Sequence, residues 1–317
     1  MDTLPSSESI ANIASAHFLQ QQISHRAAEI LWEKNGKEWS YELIGKWMQT
    51  TTFLLTLGEQ KFALKLSNNE KFLQDTHKEI WVSESLKQKN PKIFSHGESQ
   101  LPGMAGRYFW SIQEYIPWPL WEDGEMNARQ LDSYLSQLNS LHAIEHPWIP
   151  RWWLVMDDTN GSEENFEKYI DIFRKKIDKC DFFSQESRRE RVLTKIDQLQ
   201  TKIWDMSEYK TVLIHNDAHA HNVILNSSES VRIIDYWNMK WSCPEEEFAV
   251  IQTHFFRSRM NLFTKIMERY SQTHAVNSSL FEFFVLLSAC SKIKTRKVET
   301  KRLLLWNELI QPLLHSI

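Results

Sequence analysis

Residues 213–237 read LIHNDAHAHNVILNSSESVRIIDYW. Three apolar runs pass through or just precede this stretch: Val212–Leu213–Ile214, Val223–Ile224–Leu225 and Val231–Arg232–Ile233–Ile234. Each is short, rich in β-branched residues and bounded by polar or turn residues, so each reads as a buried strand. His215, Asp217 and Asn222 stand between the first two runs, and Asp235 closes the third. Polar side chains at the ends of buried strands are costly unless they have a partner or a task. Two tasks suit this order. Phosphoryl transfer uses an Asp to take a hydroxyl proton, then an Asn and a second Asp to hold Mg2+ on nucleotide phosphates. A metal-dependent hydrolase would instead use the alternating His215, Asp217, His219 and His221 as ligands on one strand face. The plain alternative is a set of hydrogen-bonded polar residues on a tight turn.

The spacing His215-Asn216-Asp217, four residues, Asn222, then Ile234-Asp235-Tyr236-Trp237 resembles the catalytic block of the aminoglycoside phosphotransferase and choline kinase family, relatives of the protein kinases. The usual form there has Gly in place of Asn216 and Trp or Phe in place of Tyr236. The resemblance implies an α+β, two-lobed protein-kinase-like fold: an antiparallel β-sheet N-lobe over residues 1–117, preceded by helices, and a mainly helical C-lobe over 118–317. It also makes three demands on the rest of the chain.

The first is a lysine on an apolar strand, and Phe62-Ala63-Leu64-Lys65-Leu66 supplies it. A buried lysine needs an anion, here a nucleotide phosphate and a helix glutamate; the alternative is a solvent-facing lysine on an edge strand. The second demand is that glutamate. A helix over 74–88 carries Glu79, with Glu84 as runner-up. The third is an adenine-reading strand, and Phe109 to Pro117 matches it, with backbone contacts expected around Glu114 to Ile116. The preceding strands, 39–45, 50–57 and 61–66, form a β-meander. Its turn keeps only Gly45 of the family's small residues, leaving Thr50 and Thr51 as phosphate-facing donors.

Further along, residues 127–143 show helical spacing through Leu131, Tyr134, Leu135, Leu138 and Leu141. Helices are expected over 6–32, 163–179, 185–206, 281–290 and 301–314. In the stretch from Trp241 to Ala249, Cys243 stands where the family has Asp, and Glu247 replaces a second Asp that anchors the catalytic loop. His215 is expected to brace that loop. Asp157, Asp158, Trp237 and Glu247 are the candidate acceptor-side residues, the first two as an acidic pair able to attract a cation.

Composition narrows the classes. The formal charge is −4, with 37 basic and 41 acidic residues and no basic block, which argues against nucleic acid as a main partner. The three cysteines form no Cys-x-x-Cys, which suits a reducing, cytoplasmic setting. No apolar run reaches membrane-spanning length. The expected chemistry is therefore transfer of a γ-phosphate from ATP or GTP, with Mg2+, to a hydroxyl of a small molecule: an aminoglycoside-like antibiotic, an amino alcohol or a sugar. A nucleotide-binding pseudokinase or scaffold is the non-enzymatic alternative.

Overall fold

In a computed structural model the chain divides into two compact units, Met1–Pro117 and Trp118–Ile317. The structure describes residues 39–47, 50–57, 59–67, 69–86, 92–100, 107–116, 121, 126–144, 166–204, 212–225, 227–255 and 260–315. The helix expected over 6–32 and the acidic pair Asp157 and Asp158 lie outside them.

The first unit is built on a five-stranded antiparallel sheet. Its strands are β1 (Trp39–Trp47), β2 (Thr50–Leu57), β3 (Gln60–Ser67), β4 (Ile93–Gln100) and β5 (Arg107–Glu114), in spatial order β1-β2-β3-β5-β4. Alternation sets the faces. Phe62, Leu64 and Leu66 are buried while Ala63 and Lys65 are half-buried on the other side of β3. β5 is an interior strand, between β3 and β4, and buries Phe109 to Gln113 without interruption, the pattern of a strand covered on both faces. Gly97 of β4 lies against the Trp110 ring, where an added Cβ would come within 3.0 Å of the indole. Helix α1 (Lys71–Ser85) packs on β4 and β5. It starts three residues earlier than the apolar spacing predicts. The Asn69 side chain accepts from the Lys71 N–H and the Asn69 carbonyl accepts from the Phe72 N–H, closing a first turn that periodicity cannot show.

The second unit pairs two short two-stranded sheets with helices. Strand β6 (Val212–Ile214) pairs with β9 (Lys240–Ser242), and β7 (Val223–Leu225) with β8 (Val231–Ile233). Helix α2 (Ala128–His142) opens with a capping box between Asn127 and Gln130 and packs on β6 and β8. Its polar side chains serve the β7–β8 hairpin. Gln137 donates to the Val231 carbonyl and accepts from the Ile233 N–H, Ser133 accepts from the Val231 N–H, and Gln130 donates to the Ser227 carbonyl. The edge of β8 is thus satisfied by a helix rather than by another strand.

Helices α3 (Phe166–Asp178), α4 (Glu186–Trp204), α5 (Pro244–Phe255), α6 (Met260–Ser271), α7 (Ser278–Thr295), α8 (Glu299–Leu305) and α9 (Gln311–His315) complete the unit. A π-helical turn, Trp306–Ile310, joins the last two. Helix α7 is apolar nearly all round and runs through the main core, with Leu280, Phe283, Phe284, Leu286 and Ile293 buried. Among the described residues no helix is long and apolar enough to cross a membrane.

Cys180, Cys243 and Cys290 are all free and buried. Burial pushes the Cys243 and Cys290 thiols well above their ordinary pKa, with the nearby Glu245 and Glu246 charges adding to the effect on Cys243. Native protein should therefore show almost no reaction with a thiol-disulfide reagent at pH 8, and three equivalents on unfolding in guanidinium. Fast labelling of a thiol in the folded protein would contradict the buried placement.

Candidate active site

The centre of the second unit is the turn after β6. The β6 strand is fully buried and delivers His215 into the interior, with no exposed surface. Asn216 follows at φ 61°. In that left-handed conformation two consecutive N–H groups point the same way. Both point at Glu247 on α5. The His215 N–H donates to Oε2 at 2.5 Å, and the Asn216 N–H donates to Oε1 at 3.1 Å. The Tyr134 hydroxyl on α2 donates to the Ala218 carbonyl at 2.7 Å, fixing the loop from the other side.

His215 points away from solvent. Its Nε2 bonds the Ile234 carbonyl at 3.0 Å and its ring lies 4.5 Å from that of Tyr236. Desolvation lowers its pKa below the ordinary imidazole value, although the Asp217 charge opposes this. A neutral Nε2–H donating to the Ile234 carbonyl ties the residue after β8 to the start of the loop.

Asp217 is half-buried, with both carboxylate oxygens engaged. Oδ2 accepts from the Asn222 amide at 3.2 Å and from the Asn238 amide at 3.0 Å. Oδ1 lies 3.2 Å from Nε2 of His219 and 3.6 Å from Nε2 of His254. Burial alone would raise the carboxyl pKa. The His219 hydrogen bond, together with the fields of His219, His215 and His254, outweighs it and holds the group below the usual carboxylate value. Asp217 is thus an anion at neutral pH.

Asn222 is buried and locked to the same residue twice, since its amide also donates to the Asp217 carbonyl at 2.9 Å. That leaves its side-chain oxygen to face elsewhere. The Asn222 carbonyl accepts from the Ile234 N–H at 2.9 Å, which sets Asp235 beside it. Asp235 has φ 68° and ψ 62°. Asn216 and Asp235 are the non-glycine residues with positive φ among the described residues, and both flank the polar cluster. An amide oxygen and a carboxylate are hard oxygen donors, which fit Mg2+.

In the first unit, Lys65 on β3 and Glu79 on α1 form an ion pair at 3.2 Å, with side chains 15% and 8% exposed. Such a pair is shielded from water and holds the ammonium in one place. Thr50 at the start of β2 is buried, and its hydroxyl has no hydrogen-bond partner among the described residues. Thr51 pairs with Leu66 in the sheet, and its side chain lies outside the described residues. Glu114 ends β5 and spends its N–H on the Lys92 carbonyl at 2.8 Å, so that N–H is not an adenine donor. Ile116 is buried at 9% exposure.

Two expectations need correction. Glu247 has no exposed surface, and both its oxygens are taken by backbone N–H groups. It cannot face an acceptor, and its place is that of the loop anchor. The alternating histidines also do not form one ligand set. His215 is turned inward and His221 is exposed, while Asp217, His219 and His254 bring three ligand atoms within 4.8 Å of one another. Trp237 is half-buried, in the 3-10 turn that follows Asp235.

Asn238 and His254 were not singled out from the sequence. Asn238 carried no pattern. His254 carried a weak one: it lies seven residues after Glu247, so both occupy one face of α5, toward the loop.

No curated protein sequence matches the chain. Solved structures do. A thermostable mutant of aminoglycoside phosphotransferase APH(4)-Ia, in ternary complex with AMP-PNP and hygromycin B, superposes with a TM-score of 0.66 at 14% identity, covering 91% of this chain and 97% of that one. Spectinomycin phosphotransferase APH(9)-Ia, in complex with ADP and spectinomycin, gives 0.60 at 14% identity over 90% and 93%. The GDP and kanamycin complex of APH(2")-IIIa gives 0.59 at 14% identity over 95% and 97%. At such identities the likeness establishes the fold, the α+β kinase-like one expected from the sequence. A family model described as the phosphotransferase enzyme family matches residues 41–276, which take in the β-sheet, the loop after β6 and the anchoring helix α5. The chain belongs to the phosphotransferase enzyme family.

Proposed function

We propose that the protein transfers the γ-phosphate of ATP or GTP to a hydroxyl group of a small molecule. The observation that carries this reading is the Asn222 side chain. Its amide donates to both the carbonyl and the carboxylate of Asp217, which fixes that carboxylate beside Asn222. In this reading Asp217 is the base, and the Asn222 side-chain oxygen and Asp235 are the oxygen donors for a divalent ion.

In this reading the acceptor oxygen attacks the γ-phosphorus, the bond from that phosphorus to the β–γ bridging oxygen breaks, and the nucleoside diphosphate leaves. The hydroxyl proton passes to Asp217. Asn222 and Asp235 hold Mg2+, which neutralises charge on the phosphates when bound. Lys65, steadied by Glu79, meets the α- and β-phosphates, and the unpartnered Thr50 hydroxyl is a further donor for phosphate oxygen. Little base strength is required, because the transition state is loose and catalysis comes mainly from positioning and charge stabilisation. A base with a lowered pKa is therefore adequate. Similar structures hold AMP-PNP, ADP or GDP, which leaves both donors in play.

Calorimetric titration with Mg2+ and a non-hydrolysable ATP or GTP analogue tests the donor side. One of the two should bind the wild type, and Lys65→Ala should weaken it by about tenfold or more, since the hydrogen bond lost is to a charged group. Equal binding by Lys65→Ala would remove the lysine from the nucleotide site. A second reading has one observation behind it, the convergence of Asp217, His219 and His254. Stoichiometric zinc or iron in the purified protein, with no nucleotide binding, would favour that metal-dependent hydrolase over the kinase.

A further inference from the structure

A cavity of about 250 Å³ opens beside Asp217, entirely within the second unit. One wall is apolar, from Phe173 on α3, Val250 on α5 and Leu287 on α7. The rest is polar or charged: Asn216, Ser288 and Ser291, then the exposed Lys176 and the half-buried Lys240 and Lys292 against two carboxylates, Asp217 and Glu246. Lys240 is matched, with its ammonium 2.5 Å from Glu246, whose other oxygen accepts from the Ser242 hydroxyl. Lys176 and Lys292 have no ion-pair partner among the described residues.

Lys292 is the telling residue. A lysine in the last turn of a helix normally gains the helix dipole while its ammonium stays in water. Here the side chain faces the cavity, and burial, reinforced by the Arg296 charge and opposed by Asp217, lowers its pKa to about 7. The Asp217 charge does not offset the desolvation, so the ammonium form is further stabilised by an anion that enters the cavity. Desolvation, then the Lys292 and His219 charges, also hold His254 below its ordinary pKa, so the imidazole adds no positive charge at pH 7. Asp217 supplies the site's negative charge, but both its oxygens are already engaged.

We propose that the acceptor is a small anionic hydroxyl compound, with its carboxylate or phosphate group on Lys176 and Lys292 and its hydroxyl at Asp217. The proposal rests on the phosphotransfer reading for the role of Asp217. It deepens that reading by excluding polycations from this cavity: each ammonium of an aminoglycoside would meet unmatched lysines where an anion would meet partners. The volume agrees, since it falls below the ~300–1,000 Å³ of pockets that take drug-sized ligands. The apolar wall gives the compound's carbon skeleton a face to pack on.

The test uses the full chain saturated with Mg2+ and AMP-PNP or its GTP counterpart, so that the nucleotide phosphate sites are filled. Inorganic phosphate, acetate, choline and kanamycin are then titrated separately by calorimetry. At least one anion should bind more tightly than either cation, and the choice between phosphate and acetate distinguishes the two sources of the anionic group. Lys292→Met and Lys176→Met should each weaken that anion by about tenfold or more, and Lys292→Arg should restore it. Tighter binding of kanamycin or choline, or anion binding unchanged in both methionine variants, would overturn the proposal. If neither nucleotide analogue binds, the phosphotransfer reading fails by itself. The same titrations on nucleotide-free protein would still support or overturn the anionic cavity.

Discussion

Asp217→Asn is expected to lower kcat for phosphoryl transfer by about a hundredfold to ten-thousandfold, the range for losing a positioned general base, while leaving the fold intact. The surroundings explain why the fold survives. Two amide donors, from Asn222 and Asn238, meet one oxygen of Asp217. The other oxygen faces His219 and His254. An asparagine can keep its carbonyl toward the two amides and turn its NH2 toward the imidazoles, so each hydrogen bond retains a donor and an acceptor. What it cannot do is take a proton. Nucleotide binding by the variant should stay within about threefold of wild type, because no phosphate contact is assigned to this side chain. Circular dichroism together with single-turnover transfer separates the two effects. Near-normal transfer by the variant would remove Asp217 as the base.

Glu247→Ala should be the most damaging single change for stability. The Glu247 carboxyl group accepts from two consecutive buried N–H groups at a left-handed turn. Deleting it orphans both donors at about 1–3 kcal/mol each, so the expected loss is on the order of 4 kcal/mol. Transfer activity should fall with it, since Asp217 follows directly on the released loop. Glu247→Gln keeps one acceptor and should be intermediate. A pH signature accompanies these effects. Burial raises the Glu247 carboxyl from 4.5 to about 8, against the pull of the two N–H bonds. A raised folded-state pKa means that the folded protein holds the proton more tightly than the unfolded chain. The linked stability is therefore complete below about pH 4.5 and is lost as pH rises toward 8. Denaturant midpoints of the wild type should decline across that window, and those of Glu247→Gln should decline less. An alanine variant of wild-type stability would contradict the anchoring role.

The parts of the site that were legible in the sequence are local ones. His215, Asp217, Asn222 and Asp235 stand at the ends of short, cleanly bounded apolar runs, so their spacing is readable in the chain. Lys65 and Glu79 were legible through the family likeness, which asks for a strand lysine and a helix glutamate; the two pair at 3.2 Å.

The illegible parts come from helices whose sequence pattern reports only their packing. On helix α5 the family likeness pointed to Glu247 as the loop anchor, but only its seven-residue spacing from Glu247 hinted that His254 turns toward Asp217. Lys176 and Lys292 lie on α3 and α7, in runs of charged residues that look like solvated helix ends, yet the two helices bring them to one cavity. Strand β9 is only three residues long and lies after a tight 3-10 turn, too short for alternation to register. Gln130 and Gln137 were masked by the leucine stripe of α2, although they satisfy the edge of a hairpin nearly a hundred residues away.

The central claim is that this chain moves phosphate from a nucleotide to a hydroxyl, with Asp217 as the base. The most direct measurement is Mg2+-dependent release of ADP or GDP by wild type and Asp217→Asn, with and without pooled hydroxyl acceptors that include hydroxy acids, sugar phosphates, amino alcohols and aminoglycosides. Acceptor-stimulated release by the wild type, abolished in the variant and by chelation of Mg2+, is the predicted result. Release that ignores both the substitution and the chelator, or wild-type protein that binds neither nucleotide, would contradict it.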